Sequence, residues 1–237
     1  MTNPLYWVSA NRIADHFPTT DQALTEPDGL LAVGGDLSCE RLLDAYRRGI
    51  FPWYGEGQPI LWWAPDPRSV LVPGRLAISR SLGKNLRRRP FRVTADRAFA
   101  AVIDACAAPR AGQQGTWITQ PMRDAYIDLH RRGHAHSVEC WQNDRLVGGL
   151  YGIGVGCAFF GESMFSRKSD ASKIALVALA RALWGWGYGL IDCQVHSAHL
   201  ASLGAETIER AQFDRLLADL CRKVPATAAW RQDELET

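Results

Sequence analysis

Apolar positions change their rhythm near residue 66. Before it they come in short bursts, such as Leu30-Leu31-Ala32-Val33 between the turn signals Glu26-Pro27-Asp28-Gly29 and Gly34-Gly35-Asp36. One stretch, Cys39 to Arg48, has helical spacing, with Ser38 as N-cap and Gly49 as stop. Residues from Pro4 to about Gln58 therefore read as a small, irregular unit. A dense Trp/Pro run extends from Phe51-Pro52-Trp53 to Trp62-Trp63-Ala64-Pro65-Asp66-Pro67-Arg68. Prolines at that density exclude helix interior, and the run is expected to form a rigid junction.

From Ser69 the pattern alternates between strand and helix periods. Strands are expected at Ser69–Val72 and Phe91–Thr94, and helices at Ser79–Arg88, Asp96–Cys106 and Gln120–Arg132. Ala135–Trp141 and Arg145–Tyr151 form a hairpin across Asn143-Asp144. A third strand runs from Cys157 to Phe160. Asp170 or Ser169 caps an apolar helix, Ala171–Trp184, and the strand Ile191–Gln194 follows. A short helix His199–Leu203, a strand Ala205–Ile208 and a helix Gln212–Arg222 complete the chain. Hairpin, long helix, strand, helix, strand is the order of an N-acetyltransferase-type core. The expected class is α+β: a small N-terminal α/β domain, residues 1–66, before an acetyltransferase-like (GNAT-type) mixed-sheet core, residues 67–237.

Composition narrows the setting. Of the 237 residues, 47% are hydrophobic and 22% charged, the balance of a soluble globular protein with ample core material. No run reaches the roughly 20 apolar residues that span a bilayer, and the first residues lack the character of a signal peptide. A cytoplasmic enzyme without membrane contact is expected, acting as a monomer. The six cysteines are scattered singly, so buried free thiols are expected rather than disulfides. A net charge of +2 does not announce a nucleic-acid binder. Its distribution is more informative, because Arg75, Arg80, Lys84, Arg87, Arg88 and Arg89 are crowded together. Nine tryptophans supply large flat surfaces for a core or for stacking a base.

Two segments carry candidate chemistry. In a strand, Asp192 and Gln194 would project from one face and Cys193 from the other. Upstream, Phe159-Phe160-Gly161-Glu162-Ser163-Met164-Phe165-Ser166 sets a carboxylate among aromatic and sulfur side chains. Glu162 is either exposed at a strand end or buried with a partner, because unpaired burial is costly. The partner would be Lys173 or an arginine, or a cationic amine or ribose hydroxyl of a substrate. The glycines from 148 to 156 match neither G-x-G-x-x-G nor a P-loop and read as twisted-strand glycines. Cys193, His196 and His199 have no metal-ligand spacing, and a Cys193–His196 nucleophile pair conflicts with the inward direction expected of Cys193. No metal and no cofactor are expected.

Several segments together resemble the leucyl/phenylalanyl-tRNA–protein transferases. They are Gly29–Ser38, Arg48–Trp53, Trp62–Arg68, Gly115–Thr119, Gly133–Ser137, Val147–Gly152, Gly161–Ser166, Ala171–Lys173, Ile191–Gln194 and Ala201–Ala205, in order along nearly the whole chain. The resemblance implies an enzyme that moves Leu or Phe (also Met) from aminoacyl-tRNA to the α-amino group of proteins beginning with Arg or Lys. Leu-tRNA and Phe-tRNA would be the donors, and the product would be marked for N-end-rule degradation. By position, it assigns Asp192 and Gln194 as the catalytic pair. It places Trp53, Trp117, Leu150, Phe159, Gly161, Glu162, Met164 and Ser166 around the aminoacyl-adenosine pocket, and Arg80, Lys84 and Arg87 against tRNA. In that reaction Gln194 accepts a hydrogen bond from the attacking amine, while Asp192 fixes the amide and compensates developing positive charge. A CoA-dependent N-acetyltransferase is the alternative, but it needs a pyrophosphate loop opening a helix, and none is found. A non-enzymatic RNA-binding module would leave the Asp192–Gln194 pair without a role.

Overall fold

A computed structural model describes residues 5–10, 17–109, 116–231 and 234–236. Gly115 and the first four residues, used in the sequence reading, lie outside them. The N-terminal region is more regular than its sequence suggests. Strands β1 (Tyr6–Val8) and β2 (Leu30–Gly34) pair in parallel, and helix α1 (Cys39–Arg47) follows. The Trp/Pro run is not a mere junction. It supplies β3 (Phe51–Pro52) and β4 (Leu61–Trp63), which complete a four-stranded sheet in the order β1-β2-β4-β3. Trp62 is wholly buried, and its indole N–H donates to Gly34 O at 2.9 Å. Pro52 sits in an edge strand, where its missing N–H leaves no gap in the ladder.

The second sheet begins with β5 (Arg68–Leu71). Helix α2 (Arg80–Arg88), strand β6 (Arg92–Ala95), and helices α3 (Phe99–Ala107) and α4 (Gln120–Arg131) follow. Ser79 caps α2 as its sequence suggests, its hydroxyl accepting from Leu82 N. Next come β7 (Ala135–Gln142), β8 (Arg145–Val155), β9 (Ala158–Ser166), α5 (Ala171–Gly185) and β10 (Leu190–Gln194). The chain ends with α6 (Ala198–Ala201), β11 (Glu206–Ile208) and α7 (Arg210–Leu220). Asn143 and Asp144, at φ 51° and 56°, make the tight β7–β8 turn. The sheet order is β11-β5-β10-β9-β8-β7-β6, and only β9 and β10 pair in parallel. A parallel pair needs a crossover, and α5 provides it.

Two cores flank this sheet. On one face α2 and α5 bury residues such as Leu82, Ile174 and Leu179 against Leu150, Phe159 and Ile191. On the other, α1, α3, α4, α7 and the N-terminal sheet share one continuous core, running from Leu42 and Trp62 through Ile103 and Tyr126 to Phe160 and Phe213. Gly148 lets α5 lie directly on the sheet, since a Cβ there would come within 2.4 Å of Ala171 Cβ. The glycines of β8 thus serve close packing. The third strand of the meander runs to Ser166, six residues past its expected end at Phe160. The chemistry-bearing segment lies inside a strand and not beyond it.

Candidate active site

β10 ends in an arrangement that strand periodicity does not anticipate. Its pairing with β5 shifts register between Asp192 and Gln194, and Gln194 adopts φ 56°. Across this irregularity Asp192 and Gln194 still lie on the Phe51 side of the sheet, Asp192 through Arg68, while Cys193 packs in the α5-side core, as strand alternation predicts. Asp192 is fully buried and meets Arg68 in a two-pronged ion pair, Nε to Oδ1 at 2.8 Å and Nη2 to Oδ2 at 2.6 Å. The Arg68 guanidinium carbon lies 4.9 Å from the Phe51 ring centre and 4.6 Å from that of Phe213. Such a pair is held by geometry, because each charge alone would be costly at that depth. Asp192 Oδ1 also accepts the backbone N–H of Gln194 at 3.0 Å. The carboxylate thus fixes the Gln194 backbone, not its amide, and Arg68 already balances its charge. Cys193 is buried, and burial holds its thiol well above the ordinary range, as expected of an inert core thiol.

A β-bulge presents the second carboxyl. Between β8 and β9 the register shifts at Tyr151/Gly152, so that Gly161 and Glu162 together face Gly152. The extra residue is Glu162. Its Oε1 and Oε2 contact the hydroxyls of Tyr46, from α1, and Tyr126, from α4, at 2.8 and 2.9 Å. Those hydroxyls are 2.5 Å from each other. Neither Lys173, which pairs with Asp170 at 3.7 Å, nor an arginine takes the role expected of a partner. Burial pushes the Glu162 carboxyl up to about 7, against the lowering effect of the two tyrosine hydrogen bonds. Both tyrosine hydroxyls donate to the carboxyl, and their own close contact draws all three groups into one cluster. Nothing local in the sequence marks Tyr46 or Tyr126 as partners, since they lie 116 and 36 residues from Glu162.

This carboxyl carries a stability consequence with a definite sign. A folded-state value raised above 4.5 means that the native state holds the proton more tightly than the unfolded chain. The resulting stabilisation is complete below about pH 4.5 and is lost as pH rises through about 7. The difference is on the order of 3 kcal/mol before solvent screening from the adjoining cavity. Glu162→Gln is expected to raise Tm more at pH 8 than at pH 5, read by calorimetry at both. An equal shift at the two values would contradict a half-buried Glu162 whose carboxyl is held up by desolvation.

Glu162 opens onto a cavity of about 160 Å³ lined by Phe51, Pro52, Trp53, Trp117, Glu162, Gln194 and Val195. Both units of the chain contribute, since the first three come from β3 and the residue after it. Trp53 is 44% exposed and stands edge-on to Trp63, whose indole N–H donates to Trp53 O at 2.7 Å. The cavity thus has an aromatic wall, an amide at its rim and a carboxyl that forms no ion pair among the described residues. Among the described residues, no group of three or more His, Cys, Asp or Glu is placed to hold a metal ion. The start of α5 is closed to a pyrophosphate, because Ser166 Oγ accepts Ser172 N–H and the Asp170 carboxylate lies beside it. The acetyl-CoA alternative has no site there.

Two family models cover most of the chain. That of the leucyl/phenylalanyl-tRNA protein transferases matches residues 70–218, and that of their N-terminal domain matches residues 35–66. A protein of that name from Pseudomonas syringae pv. tomato is 60% identical over 209 residues, covering 88% of this chain and 90% of its own. Another, from Nitrosomonas europaea, is 61% identical over 86% of each chain, and one from Stutzerimonas stutzeri is 56% identical over 96% and 99%. The chain belongs to this family. A solved structure, L-PGS from Bacillus licheniformis, covers 71% of this chain and 54% of its own at 12% identity and TM-score 0.38, too distant to bear on the fold.

The positions carried over from the transferase family separate into three places. Trp53, Trp117, Glu162 and Gln194 meet around the cavity. Leu150 and Phe159 are buried on the opposite sheet face against α5, and Met164 packs partly against the same core. Gly161 lies where β9 runs beside β10, a Cβ there reaching 3.6 Å from Asp192 O. Ser166 holds the start of α5, its hydroxyl also donating to Lys168 O at 2.8 Å. Arg80, Lys84 and Arg87 are exposed on α2, across the sheet from the cavity. In this transferase the partners Arg68, Tyr46 and Tyr126 complete the buried side of the site. Arg68 was legible only as the last residue of a Trp/Pro run.

Proposed function

We propose that the chain takes Leu or Phe, and also Met, from aminoacyl-tRNA and joins it to the α-amino group of proteins that begin with Arg or Lys. The product is marked for N-end-rule degradation in the cytoplasm, and a single chain carries the whole site. The observation that carries this reading is the small aromatic-walled cavity with Glu162 and Gln194 at its edge. It is smaller than the ~300–1,000 Å³ of typical ligand pockets, a size suited to one amino-acid side chain while the rest of the donor lies outside. The finer assignments belong to the same reading. The core is acetyltransferase-like, supported by the β9–α5–β10 crossover. The boundary at residues 66 and 67 is supported by the switch from the four-stranded to the seven-stranded sheet between Trp63 and Arg68. Arg80, Lys84 and Arg87 meet the tRNA backbone.

The reaction is aminolysis of an ester. The acceptor nitrogen attacks the carbonyl carbon, the ribose oxygen leaves, and the amine's proton passes to that oxygen. An N-terminal amine titrates near pH ~8, so a sizeable neutral fraction exists without a strong base. Gln194 orients the amine through its amide oxygen, which suits an amide better than proton abstraction does. Glu162, which forms no ion pair among the described residues, offers in its ionised form a counter-charge to a cationic amine of the substrate, or an acceptor to a ribose hydroxyl. Asp192 acts one step back, holding Gln194 in its left-handed conformation. Phe159, Leu150 and Met164 stiffen the strands from the far face.

Labelled Leu-tRNA incubated with a protein bearing N-terminal Arg is expected to label that N-terminus, and a protein with N-terminal Met should stay unlabelled. Ile-tRNA should be roughly 10- to 200-fold poorer in kcat/KM, the range that small apolar differences command. Transfer to neither protein would sink the reading, and equal use of Ile-tRNA would remove the cavity as its selector.

A further inference from the structure

The chain has a concentration of positive charge that the cavity does not use. Residues 75–89 contain six cations and no carboxylate, while the whole chain carries only +2, so the remainder is net acidic. All six are exposed, and none has an ion-pair partner among the described residues, whereas Arg41, Arg68, Arg123 and Arg132 elsewhere are paired. α2 lies against α5, and between them runs an open cleft of about 560 Å³ lined by Ile78, Gly83, Leu86, Arg87, Arg89 and Arg181. Arg181 comes from α5 and is exposed. Three residues further along the same helix face, Trp184 is 60% exposed and its indole lies flat over Gly74, where a Cβ would meet the ring at 2.9 Å. A large exposed indole beside unpaired arginines is a stacking surface next to phosphate-binding charge.

Position sharpens the point. β9 and β10 are parallel, so Ser166 and Gln194 end at the same side of the sheet, and α5 starts there. Its 15 residues carry the chain roughly 20 Å away before Trp184. The terminal aminoacyl-nucleoside of a donor in the cavity does not reach that far. The body of a nucleic acid does.

We propose that the α2–α5 cleft docks the body of the donor tRNA, with Arg181 contacting phosphate and Trp184 providing a face for a base or ribose. This rests on the donor being an aminoacyl-tRNA. It adds a second helix to the α2 contacts and assigns an exposed tryptophan a binding role.

Arg181→Ala, Trp184→Ala and Trp184→Phe test it in the full chain. With aminoacyl-tRNA as donor, Trp184→Ala is expected to raise KM about tenfold with kcat unchanged. Trp184→Phe should recover most of the loss. With aminoacyl-adenosine as donor and the same acceptor, all variants should match the parent protein. Binding of deacylated tRNA, which needs no transfer, should weaken in parallel, and Arg181→Ala should flatten its log–log salt dependence by about 1. Unchanged tRNA binding in both alanine variants overturns the proposal, as does an equal loss with the two donors. Poly-glutamate displacing tRNA at matched charge would mark a general polyanion surface and overturn the RNA assignment. A parent protein that binds tRNA but transfers nothing would count against the proposed function and not against this surface.

Discussion

Asp192→Ala is expected to destabilise the protein by about 3–5 kcal/mol, the usual cost of stranding one member of a buried ion pair. The substitution leaves the Arg68 guanidinium, 1% exposed, between two aromatic rings without the carboxylate that bonds it directly. Arg68→Met should cost a similar amount for the mirror reason. The double variant Arg68→Met/Asp192→Leu is expected to recover most of that loss, because both desolvation penalties vanish together. Activity should not return with it, since the Gln194 N–H loses the carboxylate oxygen that holds it at 3.0 Å. Urea denaturation at pH 7 of the parent, Arg68→Met, Asp192→Leu and the double variant gives the cycle directly. Additive losses in the double variant would show that the two charges act separately and would remove this account of β10.

Gln194→Ala should lower kcat/KM about 100-fold, the scale of losing one positioned polar group at a reacting centre. Its effect on Tm should be small, because the side chain's hydrogen bond to Asp192 O is a long one, 3.5 Å. Gln194→Gly separates backbone from side chain. Glycine adopts φ 56° freely, so this variant is expected to gain roughly 1 kcal/mol of stability while losing the same activity. Gln194→Glu keeps the length and adds a base. A rate that then climbs with pH would show that a proton acceptor at this position helps, whereas a flat, low rate supports orientation. Full activity in Gln194→Ala would place the reacting centre elsewhere in the cavity.

The elements were largely legible because each rests on local chemistry. The Asn143-Asp144 turn has the residues that tolerate positive φ, Ser79 is a good N-cap, and α5 is apolar over most of its circumference. Errors fell where pairing across the sheet overrides local period. β9 continues through Glu162 because β8 pairs with it to Ser166, and the bulge there leaves no sequence mark. The Trp/Pro run forms strands because Trp62 finds a buried place against β2, a partner roughly thirty residues earlier. The candidate site followed the same rule. Trp53, Trp117, Glu162 and Gln194 were nameable from a family resemblance, but Arg68, Tyr46 and Tyr126 had no local signature.

What the sequence determined by itself is therefore the set of helices and strands, the basic segment before β6, and the family to which the chain belongs. Tertiary structure decided what the acidic groups are. Asp192 became a buried, neutralised anchor because a guanidinium 124 residues away reaches it. Glu162 became a group that titrates near neutrality because burial against the core outweighs the two tyrosine hydrogen bonds that pull it down. The charge state and direction of a side chain depend on the dielectric and partners around it, and only the folded chain brings those together.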